Sequence, residues 1–250
     1  MTIGFSAFRS ISIIVARSDG AAARRGQQTR YSLRMPKPEE AHAAPPPEIG
    51  GPGERWDQSY RSRRPPWDIG RPQPPFTRLA EAGEIVAPVL DCGCGTGEQA
   101  LMLAARGMEV MGVDVAPTAI EAARRKAAER ALTVDLRVAD ALELHRLGRT
   151  FATVIDCGVF HTFDDGDRPR YVASLADAVR PGGVIHLLCF SELTPGDYGP
   201  RRVTQAELRA TFADGWLVER IEAERFEVLD DFPAPRPHAW LARIVRSATG

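Results

Sequence analysis

Short apolar runs alternate with helix-like patterns of apolar residues after Glu84. The runs at 85–90, 109–113, 133–138, 151–155 and 184–190 have the length of buried strands. Between the second and third runs, residues 117–131 place Ile120, Ala123 and Ala127 on one helical face, and a second apolar stripe follows Asp167. Strands that alternate with amphipathic helices are typical of a parallel sheet covered by helices.

In the last third of the chain, the alternation of strands and helices gives way to one helix followed by two consecutive strands. Thr204 and Glu207 have the spacing of a capping box, which predicts a helix that ends near Phe212. Two strand-like runs, 216–226 and 239–245, follow on either side of a loop at 230–235. Consecutive strands pair as a hairpin, so we expect an α/β fold with a seven-stranded, mostly parallel sheet, an antiparallel C-terminal hairpin and helices on both faces.

The N-terminal part of the chain differs from the rest by its high proline content. Eleven of the 20 prolines lie in residues 36–75, where repeated loss of the amide donor predicts no regular structure. Residues 1–40 carry a net charge of +4 and the remainder −5. We expect residues 1–50 to be a disordered Arg- and Pro-rich extension; an organelle-targeting segment is the alternative, and Met35 is a second possible start.

Charge and composition exclude several classes. A formal net charge of −1 with 26% charged residues provides no basic surface for nucleic acid, and no apolar run approaches the roughly 20 residues that span a bilayer. The four cysteines lack metal-ligand spacing and favour reduced, free thiols, which fits a cytoplasmic protein. Partners are therefore predicted among small molecules, and the oligomeric state stays open.

The most informative segment is the predicted strand that runs into glycines at 93, 95 and 97. About twenty residues further on, Asp114 ends the next strand, where its carboxylate can accept both hydrogen bonds of a ribose diol. Two adenosine ligands compete for this geometry. The dinucleotide pattern needs glycine at 98, where this chain has Glu98, an acid that would repel a pyrophosphate but not a sulfonium amino acid. S-adenosylmethionine is favoured over NAD.

Residues 91–97, Asp114, Asp140-Ala141 and the turn at 180–183 together resemble class I S-adenosylmethionine-dependent methyltransferases over residues 54–246. The upstream segments 56–58 and 66–74 resemble the N-terminal cover of the thiopurine methyltransferase-like and halide/thiol methyltransferase branch. The glycine turn is similar to that of actinobacterial small-molecule methyltransferases that act on heteroaromatic compounds. The resemblance implies a Rossmann-like sheet, with residues 51–80 as the cover of the cofactor site and 81–250 as the methyltransferase domain.

Carried over residue by residue, the resemblance implies a cofactor site that combines the glycine turn, three strand ends and two covering tryptophans. Its members are Trp56, Trp67, Asp91, Gly93, Gly95, Gly97, Asp114, Val115, Asp140, Ala141, Asp156 and Cys157. An indole face stabilises a sulfonium and excludes water. Simple anchoring of a Pro-rich arm is the alternative role for the tryptophans.

The acceptor should lie beyond the carboxyl ends of the fourth and fifth strands. Phe160, Phe163, Phe190 and Tyr198 are predicted to line an apolar pocket there. His161 is the candidate general base for an acceptor that must lose a proton; a structural imidazole is an equally good interpretation. Asp164, Asp165 and Asp167 fit a loop and helix cap better than a metal site, so no metal is predicted.

These observations predict methyl transfer from S-adenosylmethionine to a small-molecule acceptor by in-line displacement. The acceptor atom stays open between sulfur, halide, oxygen and nitrogen. Two other hypotheses are kept: a non-catalytic protein that binds S-adenosylmethionine, and an NAD-linked oxidoreductase.

Overall fold

The computed structural model describes residues 52–62, 64–232 and 235–248. Its strands are β1 (Val89–Cys92), β2 (Val110–Asp114), β3 (Asp135–Val138), β4 (Phe151–Cys157), β5 (Val179–Phe190), β6 (Trp216–Arg225) and β7 (His238–Arg246). They form one seven-stranded sheet in the order β3-β2-β1-β4-β5-β7-β6. The first five pair in parallel, and β7 runs antiparallel to both β5 and β6, so the predicted sheet is confirmed.

Six α-helices connect and cover the strands in the described part of the chain. They are α1 (Pro52–Ser62), α2 (Pro74–Glu81), α3 (Glu98–Ala104), α4 (Pro117–Glu129), α5 (Asp167–Ala178) and α6 (Gln205–Thr211), with 3-10 turns at Ala141–Leu147 and Phe160–Thr162. The capping box of α6 forms as predicted, with Thr204 Oγ1 accepting from Glu207 N at 3.0 Å. Within the described residues, no helix combines the length and apolarity needed to cross a bilayer.

The prediction that residues up to 75 lack regular structure is wrong for α1 and for the start of α2. Pro52, Pro74 and Pro75 stand in the first turns of these helices, where an amide donor has no intrahelical partner to lose. The interior of α1 contains no proline. Residues 1–50, predicted to be a disordered extension, lie outside the described residues.

Two strands begin more than two residues away from their predicted starts. The first strand begins at Val89 rather than 85, because Val86 bonds through its amide and carbonyl to the side chain of Thr153 and not to a neighbouring strand, and Pro88 has no amide to donate. The fifth begins at Val179, because the turn at 180–183 continues the pairing with β4 through an irregular register.

The core lies on both faces of the sheet because side chains alternate along each strand. Leu90 and Cys92 face a large cluster that includes Phe151 and Tyr171 of β4 and α5. Val89 faces the opposite cluster, which contains Phe76 of α2. A strand buried on both faces is held tightly, so the carboxyl end of β1 is a rigid platform for the turn that follows it.

The topological switch point of the sheet is at β1. Strands β2 and β3 lie on one side of β1, and β4 and the later strands lie on the other side. The register places Asp91 beside Gly112 of β2 and Ile155 of β4. The turns after β1, β2 and β4 therefore converge at one edge of the sheet, where open α/β folds bind ligands.

Glu98 joins α3 to α4. Its carboxylate, 7% exposed, accepts from Lys126 Nζ at 2.8 Å and from two guanidinium nitrogens of Arg130 at 2.9 Å each. Burial alone would raise the pKa of Glu98, but Arg130 and Lys126 outweigh it and lower the pKa. The carboxylate is thus charged, and its ion pairs connect the two helices.

We predict that Glu98→Ala lowers the free energy of unfolding by about 2 kcal/mol, between the values for exposed and for buried ion pairs, because it leaves two cations without their shared partner. Urea denaturation measures the change. Glu129→Ala removes an exposed acid from the same region and should stay within about 0.5 kcal/mol of the parent. Equal effects of the two substitutions would show that the ion pairs of Glu98 make no specific contribution to stability.

Candidate functional site

The turn after β1 is built on backbone conformations that only glycine adopts easily. Gly93, Gly95 and Gly97 have φ values of 70°, 53° and 87°. The turn is bonded to the neighbouring strand through Cys94 N to Val113 O at 2.8 Å. Its backbone is therefore fixed at the carboxyl edge of the sheet.

Asp114 connects the turns after β1 and β2. Its two carboxylate oxygens accept from Gly95 N at 2.8 Å and from Ala116 N at 2.9 Å. Burial raises the pKa of Asp114, although these backbone amides oppose the shift. Ala139 N donates to Asp114 O at 3.0 Å, which brings the turn that carries Asp140 and Ala141 alongside.

Asp91 and Asp156 stand beside Asp114 at the ends of β1 and β4, with no exposed surface. Asp156 accepts from Val159 N, from Phe160 N and from the Tyr171 hydroxyl, and burial raises its pKa to about 6. Asp91 Oδ2 accepts from Ala100 N at 3.0 Å, whereas Oδ1 is buried without a partner among the described residues. Burial raises the pKa of Asp91 to about 7, and Asp114 and Asp156 add to the effect.

Three aromatic side chains form what we call the aromatic cover, namely Trp56 and Tyr60 of α1 and Trp67 after it. Trp67 Nε1 donates to Tyr60 Oη at 3.0 Å, and the Trp67 ring packs edge-on against both other rings. A Cβ at Gly95 would lie 2.8 Å from Tyr60 Oη, so the tyrosine rests directly on the glycine turn. The cover lies over the predicted cofactor site, with Trp67 still 42% exposed.

The segment that carries the aromatic cover is hydrogen-bonded to the rest of the protein on both sides of the three rings. In α1, Asp57 Oδ1 accepts from Thr118 N at 2.7 Å in the first turn of α4, and a Cβ at Gly53 would lie 2.9 Å from Val115. Further along, the buried side chain of Gln73 donates to Glu227 O at 2.8 Å and accepts from Glu227 N at 2.9 Å. The segment is therefore joined to α4 on one side and to the connection after β6 on the other.

His161 lies beyond β4, 7% exposed, between the rings of Phe190 and Phe226 at centroid distances of 5.0 and 5.7 Å. Its Nδ1 accepts from Phe190 N at 2.9 Å, so the neutral ring carries its proton on Nε2. Burial, with Arg168 and Arg202 nearby, lowers the pKa of His161 to about 3. The imidazole is therefore a neutral hydrogen-bond donor at Nε2.

Four rings form what we call the aromatic wall: Phe190, Phe226, Tyr198 and Phe232. Phe190 and Phe226 lie 5.2 Å apart between centroids, and Tyr198 and Phe232 lie 5.6 Å apart. Arg202 joins the two pairs, because its guanidinium lies 5.5 Å from the Phe190 ring and 5.2 Å from the Tyr198 ring. Arg202 also donates to four carbonyls of its own loop, those of Thr194, Gly196, Tyr198 and Pro200.

The predicted acceptor residues separate into two groups. Phe190 and Tyr198 belong to the wall, next to His161. Phe160 is fully buried against Phe212, and Phe163 packs on Tyr171 at 4.9 Å, so both belong to the core cluster on one face of the sheet. Cys157 ends β4 and packs against the cluster that contains Phe190.

Comparison with known proteins identifies the family. A model described as "Methyltransferase domain" matches residues 89–183. A "2-heptyl-1-hydroxyquinolin-4(1H)-one methyltransferase" of Mycobacteroides abscessus is 39% identical over 180 residues, which is 68% of this chain and 79% of the relative. The chain belongs to the class I S-adenosylmethionine-dependent methyltransferases.

Two further relatives support the same family. A solved structure described as "Conversion of a Disulfide Bond into a Thioacetal Group during Echinomycin Biosynthesis" is 39% identical, with a TM-score of 0.72 over 79% of this chain and 94% of that one. A "Probable thiol methyltransferase 2" of Arabidopsis thaliana is 28% identical over 143 residues, which is 54% of this chain and 61% of the relative. The methyltransferase thus uses S-adenosylmethionine and acts on small molecules.

The carboxyl edge of the methyltransferase fits this cofactor. Asp91 Oδ1 is a buried carboxyl oxygen without a partner among the described residues, and S-adenosylmethionine carries positive charge on its sulfonium and its ammonium group, which would favour the ionised form of Asp91. At the glycine turn, the positions that a Cβ would take are occupied by Tyr60 at Gly95 and by Val159 at Gly93, at 2.1 Å. The edge therefore fits a cationic ligand by its charge, and these two glycines allow the turn to pack closely against its neighbours.

The prediction of S-adenosylmethionine as the cofactor is confirmed. The structure does not support the argument that was based on Glu98. Glu98 was expected to discriminate by repelling a pyrophosphate. Its charge is instead matched by Lys126 of α4 and by Arg130, the residue that follows α4. The excess negative charge at this edge comes from Asp91, Asp114 and Asp156, which have no cationic side chain as a hydrogen-bond partner among the described residues.

Sequence reasoning missed Tyr60, Phe226, Phe232 and Arg202. Tyr60 lies one helical turn after Trp56, a spacing that predicts a shared face once a helix at 52–62 is assumed. Phe226 and Phe232 flank the connection that Gln73 holds in place, and Arg202 acts through backbone carbonyls of its loop. The chain pattern contains no signal for the last three, because tertiary packing brings them together.

We predict that Asp114→Ala weakens binding of S-adenosylhomocysteine at least about tenfold, because two charge-assisted acceptor positions are lost beside the ligand. Isothermal titration calorimetry measures the affinity. Asp135→Ala, which removes a surface aspartate of β3 paired with Arg137, serves as the control and should bind normally. Unchanged affinity in Asp114→Ala would remove this residue from the cofactor site.

Proposed function

We propose that this methyltransferase methylates a planar heteroaromatic acceptor at an oxygen or sulfur atom that ionises in solution without help from the enzyme. The observation that carries the proposal is the engagement of His161 Nδ1 by Phe190 N at 2.9 Å. With Nδ1 occupied and the proton on Nε2, the imidazole has no free lone pair with which to remove a proton. The role of His161 as a general base is therefore replaced by that of a donor.

The imidazole also lacks a carboxylate partner among the described residues. The hydrogen bond to Phe190 N is the one hydrogen bond that the imidazole makes within the described residues, so no carboxylate orients it or accepts its proton. The nucleophile must consequently arrive as an anion or with a free lone pair. A neutral Nε2–H donor then suits an incoming negative oxygen or sulfur and helps to orient it.

The aromatic wall supports a planar acceptor over a halide or hydrosulfide. Tyr198 and Phe232 are partly exposed beside the buried rings of Phe190 and Phe226, and such apolar, polarisable ring faces favour stacking of a ring system. A hydroxyquinolone is the acceptor named for the relative from Mycobacteroides abscessus, and sulfur chemistry is named for the echinomycin structure. An N-hydroxyl group ionises in water and a disulfide sulfur carries no proton, so neither of these named groups requires a base from the enzyme.

We further propose how the cofactor is held. Asp114 accepts from the ribose hydroxyls with the lone pairs that Gly95 N and Ala116 N leave free, and Asp140 with Ala141 flanks the adenine. Gly93, Gly95 and Gly97 border the methionine portion, and Asp91 Oδ1 faces its ammonium group. The aromatic cover excludes water from the sulfonium. Asp156 and Cys157 support this edge from β4 through the turn that carries Val159.

When bound, S-adenosylmethionine supplies an electrophilic methyl carbon on a positively charged sulfur. The acceptor atom would supply the electron pair of the new bond to that carbon, and the electrons of the broken carbon–sulfur bond would stay on sulfur. An anionic acceptor gives a neutral methylated product, so no proton has to be removed. Catalysis then consists of holding the acceptor in line and excluding water, which is what the wall and the cover are built to do.

The test is transfer of labelled methyl from S-adenosylmethionine to five acceptors at pH 7: an N-hydroxyquinolone, an aryl thiol, a simple phenol, hydrosulfide and iodide. We expect label on the first two. The phenol, with a pKa near 10, presents about a thousandfold less anion at this pH and should react correspondingly slowly. Rates are compared at equal total acceptor concentration.

Three outcomes would contradict the proposal. A phenol methylated as fast as the aryl thiol would mean that the enzyme supplies a base. Faster transfer to iodide or hydrosulfide than to either ring compound would exclude a planar acceptor. Absence of transfer to all five, with S-adenosylhomocysteine still bound, would leave the fold and cofactor in place and remove this acceptor class.

A further inference from the structure

Two neighbouring residues of the glycine turn each contact the segment that carries the aromatic cover. Tyr60 Oη lies against Gly95, where a Cβ would be 2.8 Å away. Thr96, the next residue, donates its hydroxyl hydrogen to Asp68 Oδ1 at 2.8 Å. Asp68 directly follows Trp67 in the sequence. The Thr96–Asp68 hydrogen bond therefore holds one ring of the cover close to the turn.

The same hydrogen bond belongs to a chain of charged groups. Lys126 Nζ donates to Thr96 Oγ1 at 2.7 Å and to Glu98 Oε1 at 2.8 Å. A hydroxyl that accepts from an ammonium group becomes a stronger donor, and its own acceptor here is a carboxylate. Thr96 is only 8% exposed, so water competes little for its hydroxyl. The contact between the turn and the cover segment is thus charge-assisted and shielded.

A cavity of about 280 Å³ borders this hydrogen bond on the side of α4. Asp68 and Thr96 both line it, together with Tyr60, Arg64 and Thr118. Asp68 Oδ2 lies 3.8 Å from Arg64 Nε, which is beyond hydrogen-bond distance, and the Asp68 side chain is 16% exposed. Asp68 therefore has space beside it into which it can move when its bond to Thr96 opens.

We propose that the Thr96–Asp68 hydrogen bond is a latch that keeps the aromatic cover closed and sets the rate at which the cofactor leaves. The inference rests on the proposed position of the cofactor under the cover. Because Tyr60 contacts the turn, the cover must separate from the turn before a ligand beneath it is released. Thr96 and Asp68 are positioning residues, since both act through the cover.

Stopped-flow fluorescence measures dissociation of S-adenosylhomocysteine from the full chain, with Trp56 and Trp67 as reporters in the cover. The other two tryptophans, Trp216 and Trp240, lie in the core. Thr96→Val keeps the shape of the side chain and removes the donor, so dissociation should be about tenfold faster, as expected for a lost charge-assisted hydrogen bond. Thr96→Ser keeps the donor and loses a methyl group, and it should stay within about twofold of the parent.

The acceptor side of the latch provides a second, independent variant. Asp68→Ala should accelerate dissociation by a factor similar to that of Thr96→Val. The double variant should be no faster than either single variant, because both substitutions remove the same hydrogen bond. Glu121→Ala is the matched control, since it removes an exposed acid that lines the same cavity, and it should leave the dissociation rate unchanged.

Hydrogen–deuterium exchange of the ligand-free protein separates a latch from a direct contact between Thr96 and the ligand. Helix α1 has 11 residues, and a helix of this length is only marginally stable without tertiary contacts. Its amides should therefore exchange faster in Thr96→Val than in the parent or in Thr96→Ser, because the cover opens more often. The amides of α5, a helix outside the cover segment, should exchange at the parent rate in all variants.

Four results would overturn the latch while the cofactor site stands. They are equal dissociation rates in the parent and Thr96→Val, an effect of Thr96→Ser as large as that of Thr96→Val, unchanged exchange of α1, and binding seen by calorimetry without a change in tryptophan fluorescence. The last result would separate the cover from the cofactor. Absence of S-adenosylhomocysteine binding to the parent chain would overturn both the latch and the proposed cofactor site, so the two failures are distinguishable.

Discussion

Three buried carboxylates at the ends of adjacent parallel strands impose the main constraint on this protein. Asp91, Asp114 and Asp156 lie side by side at the carboxyl edge of β1, β2 and β4, and burial raises the pKa of each. The chain satisfies most of their oxygens with backbone amides of the turns that follow. Those hydrogen bonds determine the shape of the turns, and the remaining negative charge makes the edge complementary to a cationic cofactor.

The segment that follows the aromatic cover is connected to the aromatic wall at one residue, Glu227. Gln73 pairs with both backbone groups of Glu227, much as a strand would, and Arg71 bonds to the carboxylate of the same residue. Glu227 directly follows Phe226, which packs on His161. The segment that carries the aromatic cover therefore also holds a ring of the aromatic wall, so the cover and the wall are mechanically joined.

Much of this architecture could be predicted from the sequence, because it rests on local patterns. Strand length, helical periodicity and the capping box at Thr204 predicted the order and type of the elements from β1 to β7. The insertion of β7 between β5 and β6 depends on tertiary pairing that the chain pattern does not contain. Helices α1 and α2 were missed because prolines were counted by number and not by their position in the first turn.

The candidate site also combines features that the sequence predicts with features that depend on tertiary contacts. The glycine turn and Asp114 are short-range motifs with a stated chemistry, so their positions could be predicted. The hydrogen bond that decides the role of His161 comes from Phe190, 29 residues away in the sequence, and Arg202 acts through carbonyls whose arrangement exists only in the folded loop. Residue type alone left the imidazole as either a base or a donor, and the backbone geometry favours the donor.

The central claim is that the acceptor ionises by itself and that the protein supplies orientation. The most direct test is the pH dependence of kcat/KM for two acceptors that share one ring system and differ in their own pKa. Our account predicts that the midpoint of the rising limb follows the acceptor pKa measured in solution, in the parent and in His161→Asn alike, because the imidazole with its pKa of about 3 stays neutral throughout. A midpoint that is the same for both acceptors and disappears in His161→Asn would contradict it.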